Sequence, residues 1–306
     1  MTRTIHDRNA DSARWIWDSG FRRVVTWWVI LRICLEERLV YRGDFALGTL
    51  MRFLPIVTQI FLWYAIFQAV SAAAEPGTSL ADVQLAGYHY GEFVAYYLIT
   101  MISRAFSSMP GLASGITRQI REGEVKKFLI QPVDMLGFLL LGRIAHKLAY
   151  YSVALAPFAL VFFICRGYFF GLPPEAATHS ALTFAAFLAS LLMGFLLGYF
   201  LEASIGLIGF WWLEVSSLLF VYMLLSFFLS GHMFPLDMLP EPWLTLIDLL
   251  PLKYLAYFPA AVFLGKVTGW QLARGLVVEL IWILFFVFFS RLAYRQGVKR
   301  YSGFGG

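Results

Sequence analysis

Charge is scarce in this sequence: Asp, Glu, Lys and Arg make up 14% of 306 residues, against about a quarter in soluble domains. So few charged residues cannot cover a water-facing globule, and 60% of the chain is hydrophobic, which indicates an integral membrane protein. Cysteine is nearly absent. Cys34 and Cys165 are far apart and form no CxxC pair, so nothing suggests a disulfide framework or a thiolate metal site; both read as packing residues. Alternation with period two is missing as well, which argues against a membrane β-barrel and for an all-α bundle.

Catalytic motifs are also missing. A phosphate-binding loop of the form GxxxxGK[ST] is approached only at Gly265-Lys266, where Val267 replaces the hydroxyl residue and Ala260 the first glycine. ATP hydrolysis by this chain is not expected. His6, His89, His146, His179 and His232 form no HExxH, and no GxSxG elbow occurs. In "HMFPLD", His232 and Asp237 fit the HxxxxD spacing of an intramembrane acyl- or lipid-modifying enzyme, with His as base and Asp as its orienter. Pro235 inside that stretch suggests a turn, so the enzyme is the lesser reading. The segment Met1 to Asp44 has basic residues but no early apolar core with a small-residue cleavage site, so no cleaved signal peptide is expected.

What is present is a series of long apolar runs. About 20 apolar residues cross about 30 Å of hydrocarbon, and six candidate spans follow: Phe45 to Val70, Tyr88 to Ser107, Phe138 to Cys165, Ala181 to Leu201, Val215 to Ser230 and Trp270 to Tyr294. The expected organisation is a cytoplasmic segment with an interfacial helix over 1–44, a six-span domain over 45–294 and a cytoplasmic tail over 295–306. With the N-terminus inside, most of the 24 Lys and Arg fall on one side, which places both termini in the cytoplasm of a bacterial plasma (inner) membrane. The net charge of +5 is then a topology signal, and no nucleic-acid partner is expected.

Before the first span, Val24, Trp27, Trp28, Leu31, Leu35 and Leu39 recur at helical spacings beside Arg22, Arg23, Arg32, Glu36 and Arg38. That pattern predicts an amphipathic helix in contact with membrane lipids. The fourth span carries Ala186, Ser190, Gly194 and Gly198 at intervals of four, a stripe for close helix packing inside one subunit or between subunits.

Among the ionisable residues within the spans, Glu279, Glu92 and Arg52 are the candidates for a site. Glu279 lies near the middle of the last one, where a carboxylate costs roughly 2.5–3.5 kcal/mol on insertion scales. It reads either as an internal hydrogen-bonding group or as a site in a substrate pathway, including that of an ATP-independent proton-linked carrier. Glu92 and Arg52 lie near span ends and can reach interfacial water. Glu202 and Glu214 bracket the short turn between spans four and five.

Between spans two and three, "GITRQIREGEVKKFLIQPVD" interleaves charges with Ile116, Ile120, Val125, Phe128 and Leu129. Between spans five and six, about 36 apolar residues are interrupted by Pro235, Pro240, Pro242, Pro251 and Pro259. Short re-entrant outer helices suit that pattern better than one straight span. "IREGEVKKFLIQPVD" (Ile120 to Asp134), "SGHMFPLDMLPEPW" (Ser230 to Trp243) followed by "LPLKYL" (Leu250 to Leu255), and "VYRGDF" (Val40 to Phe45) with the tail "KRYSGFGG" together resemble the ABC-2 type permeases, the membrane subunits of one class of ATP-binding-cassette transporter.

The resemblance implies a dimer of six-span subunits, with a like or related permease as second subunit, each docked on a separate cytoplasmic ATPase. ATP and Mg would be held by that ATPase and no cofactor by this chain; the usual cargo would be drugs, lipids, glycans or other amphipathic molecules for export. Thr117, Arg118, Gln119, Ile120, Arg121, Glu122, Gly123 and Glu124 would form the coupling helix that fits a cleft on the ATPase, with Gly123 ending it and Pro132 blocking its continuation. The bland alternative is a basic loop at anionic headgroups, for which Lys126 and Lys127 are suited.

Overall fold

Long apolar runs that leave their backbone groups nothing else to bond with fold as helices, and the computed structural model of the chain is built from them. It describes residues 24–39, 42–74, 80, 82–131, 133–212 and 214–301, without the side chains of 42–47, 49, 50 and 52. In chain order the helices are α1 (24–39), α2 (Arg42–Ala73), α3 (Tyr90–Ser107), α4 (Leu112–Arg121), α5 (Lys126–Ile130), α6 (Met135–Ile164), α7 (Ala181–Leu207), α8 (Ser216–Leu229), α9 (Glu241–Asp248), α10 (Tyr257–Phe263) and α11 (Gly269–Arg300). A two-residue hairpin pairs Gln84 with His89 and Leu85 with Tyr88 just before α3. Pro132 and the side chain of Arg52 lie outside the described residues.

Four stretches are long and apolar enough to cross a membrane: Phe53–Ala73, Met135–Ile164, Ala181–Phe210 and Gly269–Arg300. The other two expected spans are helical but do not reach that standard. Helix α8 has 14 residues, about 21 Å at 1.5 Å per residue, short of the hydrocarbon thickness. Helix α3 has 18 residues but carries Glu92, Arg104, three tyrosines and two serines. The all-α membrane class stands, while the count of apolar crossing helices among the described residues is four.

The chain divides into two units, residues up to 49 with 131–156, and 50–130 with 157–306. In the first, the Asp134 carboxylate accepts from the Gly137 amide at 2.6 Å and so caps the start of α6. The Trp27 indole of α1 packs so closely on Gly137 that a Cβ there would lie 3.0 Å from it. Val24, Trp28 and Ile33 of α1 are exposed, and Arg32 pairs with Glu36 one turn on at 2.8 Å.

In the second unit α7 is the central element, with α3, α4, α10 and α11 packed on it. Small residues make that possible. A Cβ on Gly198 would run into the Ser107 carbonyl of α3, and one on Gly194 would lie 3.2 Å from the Tyr254 carbonyl oxygen. The proline-rich segment after α8 exposes Trp243, Leu246 and Leu249 around α9 but turns inward from Pro251 on. Leu252, Tyr254, Leu255, Ala256, Phe258, Ala260, Ala261, Val262 and Leu264 are all buried, and the Leu255 carbonyl accepts from Ser107 Oγ at 2.7 Å. Prolines break the run into 3-10 turns and short helices, and side chains of neighbouring helices bond freed carbonyls.

Candidate functional site

Helix α4 is amphipathic at its own period. Leu112, Ala113, Ile116, Thr117 and Ile120 face inward and are buried, while Arg118, Arg121 and Glu122 point away. Its seat is the end of α7. There, a Cβ on Gly206 would lie 2.8 Å from the Ala113 carbonyl oxygen, and one on Gly209 3.0 Å from Thr117 Cγ2. Thr117 Oγ1 donates to the Gly206 carbonyl at 3.1 Å and, within α4, is 3.0 Å from the Ala113 carbonyl.

The helix ends in a Schellman arrangement. Gly123 has φ +77°, its amide donates to Ile120 O at 3.3 Å, and the Glu124 amide donates to Gln119 O at 2.9 Å. Glycine is needed there because other L residues pay for a left-handed conformation. Val125 and Phe128 then turn inward while Leu129 and Ile130 are exposed.

The helix expected over Thr117 to Glu124 differs in its bounds: it begins five residues earlier, at Leu112, immediately after Met109-Pro110-Gly111. Within the expected segment Thr117, Ile120 and Gly123 are buried and Gln119 is half-buried, while Arg118, Arg121, Glu122 and Glu124, the residues expected to make polar contacts, form the exposed face. Arg121 Nη1 lies 3.5 Å from Glu214 Oε2, which joins the end of α4 to the turn between α7 and α8. The Glu214 carboxyl is held below the usual carboxylate range, first by the Ser216 hydroxyl and amide and then by Arg121. Lys127 does the same for Glu124, to which it donates at 3.0 Å.

The first turn of α4 borders a cavity of about 570 Å³, a volume suited to a drug-sized ligand. Gly111, Ala113 and Ser114 line it at one end. Its walls come from Ile56 and Gln59 of α2, Met101 and Arg104 of α3, Phe158, Glu202, Tyr222, Met223 and Phe227, and His232 lies in the lining too. Arg104 Nη1 donates to Ser226 Oγ at 3.2 Å across it. The lining thus sets apolar and methionine surface beside a guanidinium, a carboxylate and an imidazole.

Other expected site residues fall elsewhere. Glu279 is fully buried; one carboxyl oxygen accepts from Ser190 Oγ at 2.9 Å and Oε1 has no hydrogen-bond partner among the described residues. It faces the Ser190–Gly194 stripe of α7, away from the cavity lining. Ala186 is half-buried at the outer part of that stripe. Glu92 pairs with Lys266 at 2.9 Å and accepts from the His89 amide, so it fastens the start of α3. His232 and Asp237 do not form a catalytic pair: Asp237 accepts from Tyr88 and Tyr257, and His232 packs on the Phe227 ring with Nδ1 unbonded among the described residues.

The sequence reading missed Gly206 and Gly209, although Gly206 continues the interval-of-four register of Gly194 and Gly198. Arg104, given no site role from the sequence, lines the cavity.

No curated protein matches this sequence. A family model described as ABC-2 family transporter protein matches residues 53–305, the stretch that holds α4, the cavity and the proline-rich segment. The chain belongs to the ABC-2 family of transporter proteins and is a multi-pass membrane permease of an ABC transporter.

Proposed function

We propose that this permease is the membrane half of an ATP-driven exporter of amphipathic cargo, energised by a separate cytoplasmic ATPase that docks on the exposed face of α4. The observation that carries the reading is the double placement of α4. Its first turn borders the cavity, its last turn displays Arg118, Arg121 and Glu122, and about 15 Å of helix joins the two. Its inner face is locked to α7 through Gly206 and Thr117, so a push on the charged end moves the cavity wall as well. ATP and Mg act on the partner, and the chain works beside a second permease subunit, like or related, in the bacterial inner membrane with both termini in the cytoplasm. Closing of the ATPase pair would switch the permease between two global states.

Affinity purification from the native host in mild detergent tests the reading. A co-purifying ATPase in equal amount supports it, as does its loss on Arg121→Glu with the chain still inserted. Repeated purification without an ATPase overturns it.

A further inference from the structure

Gln59, Met101 and His232 line the cavity, and Met101 is its lining residue farthest from α4 along α3. One helical turn beyond Gln59 stands Trp63, one turn beyond Met101 stands Tyr97, and next to His232 is Met233. These three are joined: Trp63 Nε1 donates to Tyr97 Oη at 2.5 Å, and Tyr97 Oη donates to the Met233 carbonyl at 2.7 Å. The Trp63 indole also packs on Phe93, with ring centroids 4.4 Å apart.

The strand of chain that supplies Met233 is gripped repeatedly by tyrosines. Tyr96 Oη donates to the Gly231 carbonyl and Tyr88 Oη to the Asp237 carboxylate at 2.6 Å. Gly231 has φ +79°, and a Cβ on it would lie 2.6 Å from Tyr257 Cβ and 2.7 Å from Tyr96 Oη, so the chain reverses at a point that accepts only glycine. Segment 231–237 is thus held by the hydroxyls of Tyr96 and Tyr97 on α3, Tyr88 in the hairpin and Tyr257 on α10, each bonded to a side chain or a single carbonyl, contacts that can break without disturbing a helix.

We propose that the Trp63–Tyr97–Met233 hydrogen-bond chain is the latch of a gate, and that segment 231–237 swings away from α3 when cargo leaves the cavity. The proposal rests on the exporter reading for its direction: α4 faces the cytoplasm and the latch faces outward. Tyr97 is the positioning residue, because its hydroxyl alone bridges the other two.

The test is thiol accessibility in a chain with Cys34→Ser and Cys165→Ala and a reporter at Met101→Cys inside the cavity. A membrane-impermeant maleimide is added to intact cells, and to inverted vesicles as the opposite-side control, without added ATP. Labelling from outside should be slow in this parent. Tyr97→Phe should raise it roughly tenfold, the population change that about one net hydrogen bond produces, while Tyr90→Phe, at the start of the same helix, should leave it unchanged. Fast outside labelling of the parent, or a Tyr97→Phe rate equal to the parent's, overturns the latch. Should Tyr97→Phe fail to insert, Trp63→Phe decides: a several-fold rise supports the latch and an unchanged rate overturns it. Labelling requires no ATPase, so loss of the exporter reading through failed co-purification remains a separate result.

Discussion

The Ala113 carbonyl oxygen sits 2.8 Å from where a side chain on Gly206 would begin. That closeness seats α4 on α7 backbone to backbone, so the charged end of α4 cannot tilt independently of the helix beneath it. Gly206→Ala would gain about 0.5–1 kcal/mol of helix propensity and lose more through overpacking, which typically costs about 1–3 kcal/mol. The expected net result is a displaced α4. Thermal unfolding should fall only slightly, while ATPase activity stimulated by the permease drops sharply; unchanged stimulation would show that the seat is not needed for coupling.

The Arg121–Glu214 pair separates folding from docking. Both side chains are about half exposed or more, and solvent-exposed ion pairs contribute little to stability. Arg121→Glu should therefore leave detergent stability nearly unchanged and abolish ATPase co-purification. The double exchange Arg121→Glu with Glu214→Arg would restore the pair without restoring docking. Lys127→Glu, on the far side of Gly123, should have a much smaller effect on co-purification than Arg121→Glu.

Glu214 and Glu124 both titrate below the usual carboxylate range. A carboxyl whose folded value is depressed contributes stability above its unfolded value, near 4.3, and loses it as pH falls through the folded value. The contacts of Glu214 with Ser216 and Arg121, and of Glu124 with Lys127, should thus persist from pH 8 to 5. They should loosen only below the ordinary carboxylate range. Hydrogen exchange of the 121–128 and 214–218 amides across that range measures it, and a transition between pH 6 and 7 would contradict the assignment.

Glu279 bonds Ser190 across a buried seam, and substitution separates a packing role from a transport role. Gln in its place keeps an acceptor for Ser190 and nearly the same volume, so Glu279→Gln should fold and transport like the parent. Glu279→Leu strips the Ser190 hydroxyl of its partner in a buried seam, at about 1–3 kcal/mol, and should lower the unfolding temperature. Loss of transport in Glu279→Gln with unchanged stability would instead restore a proton-linked role.

Parts of this structure are legible from residue order alone. The buried face of α4 follows from Leu112, Ile116 and Ile120 at intervals of four, and the left-handed stop at Gly123 is readable from a glycine closing an amphipathic run. The stripe of Ser190, Gly194 and Gly198 announces close packing, and the structure assigns it to contacts within the chain. The start of α4 is hidden because Gly115 inside it and Pro110-Gly111 before it look like one irregular stretch. The depth of the proline-rich segment is hidden for another reason. Its contacts run through main-chain carbonyls, Leu255 O to Ser107 and Tyr254 O beside Gly194, and every residue type carries a carbonyl. The cavity is illegible because Gln59, Met101, Arg104, Tyr222 and His232 come from four separate stretches that only the tertiary fold brings together.

The buried Leu252–Leu264 stretch also constrains biogenesis. Its partners are Ser107 on α3, Gly194 on α7 and, at the end of the chain, the helix bearing Glu279 and Gly275, whose missing Cβ leaves space for the Phe258 ring. A segment of the nascent chain that is emitted before its last partner has no finished slot to enter. Its packing against α11 is completed only once that helix is made. A chain truncated before Gly269 would leave that segment without one wall, an apolar strand held outside the bundle and open to proteolysis.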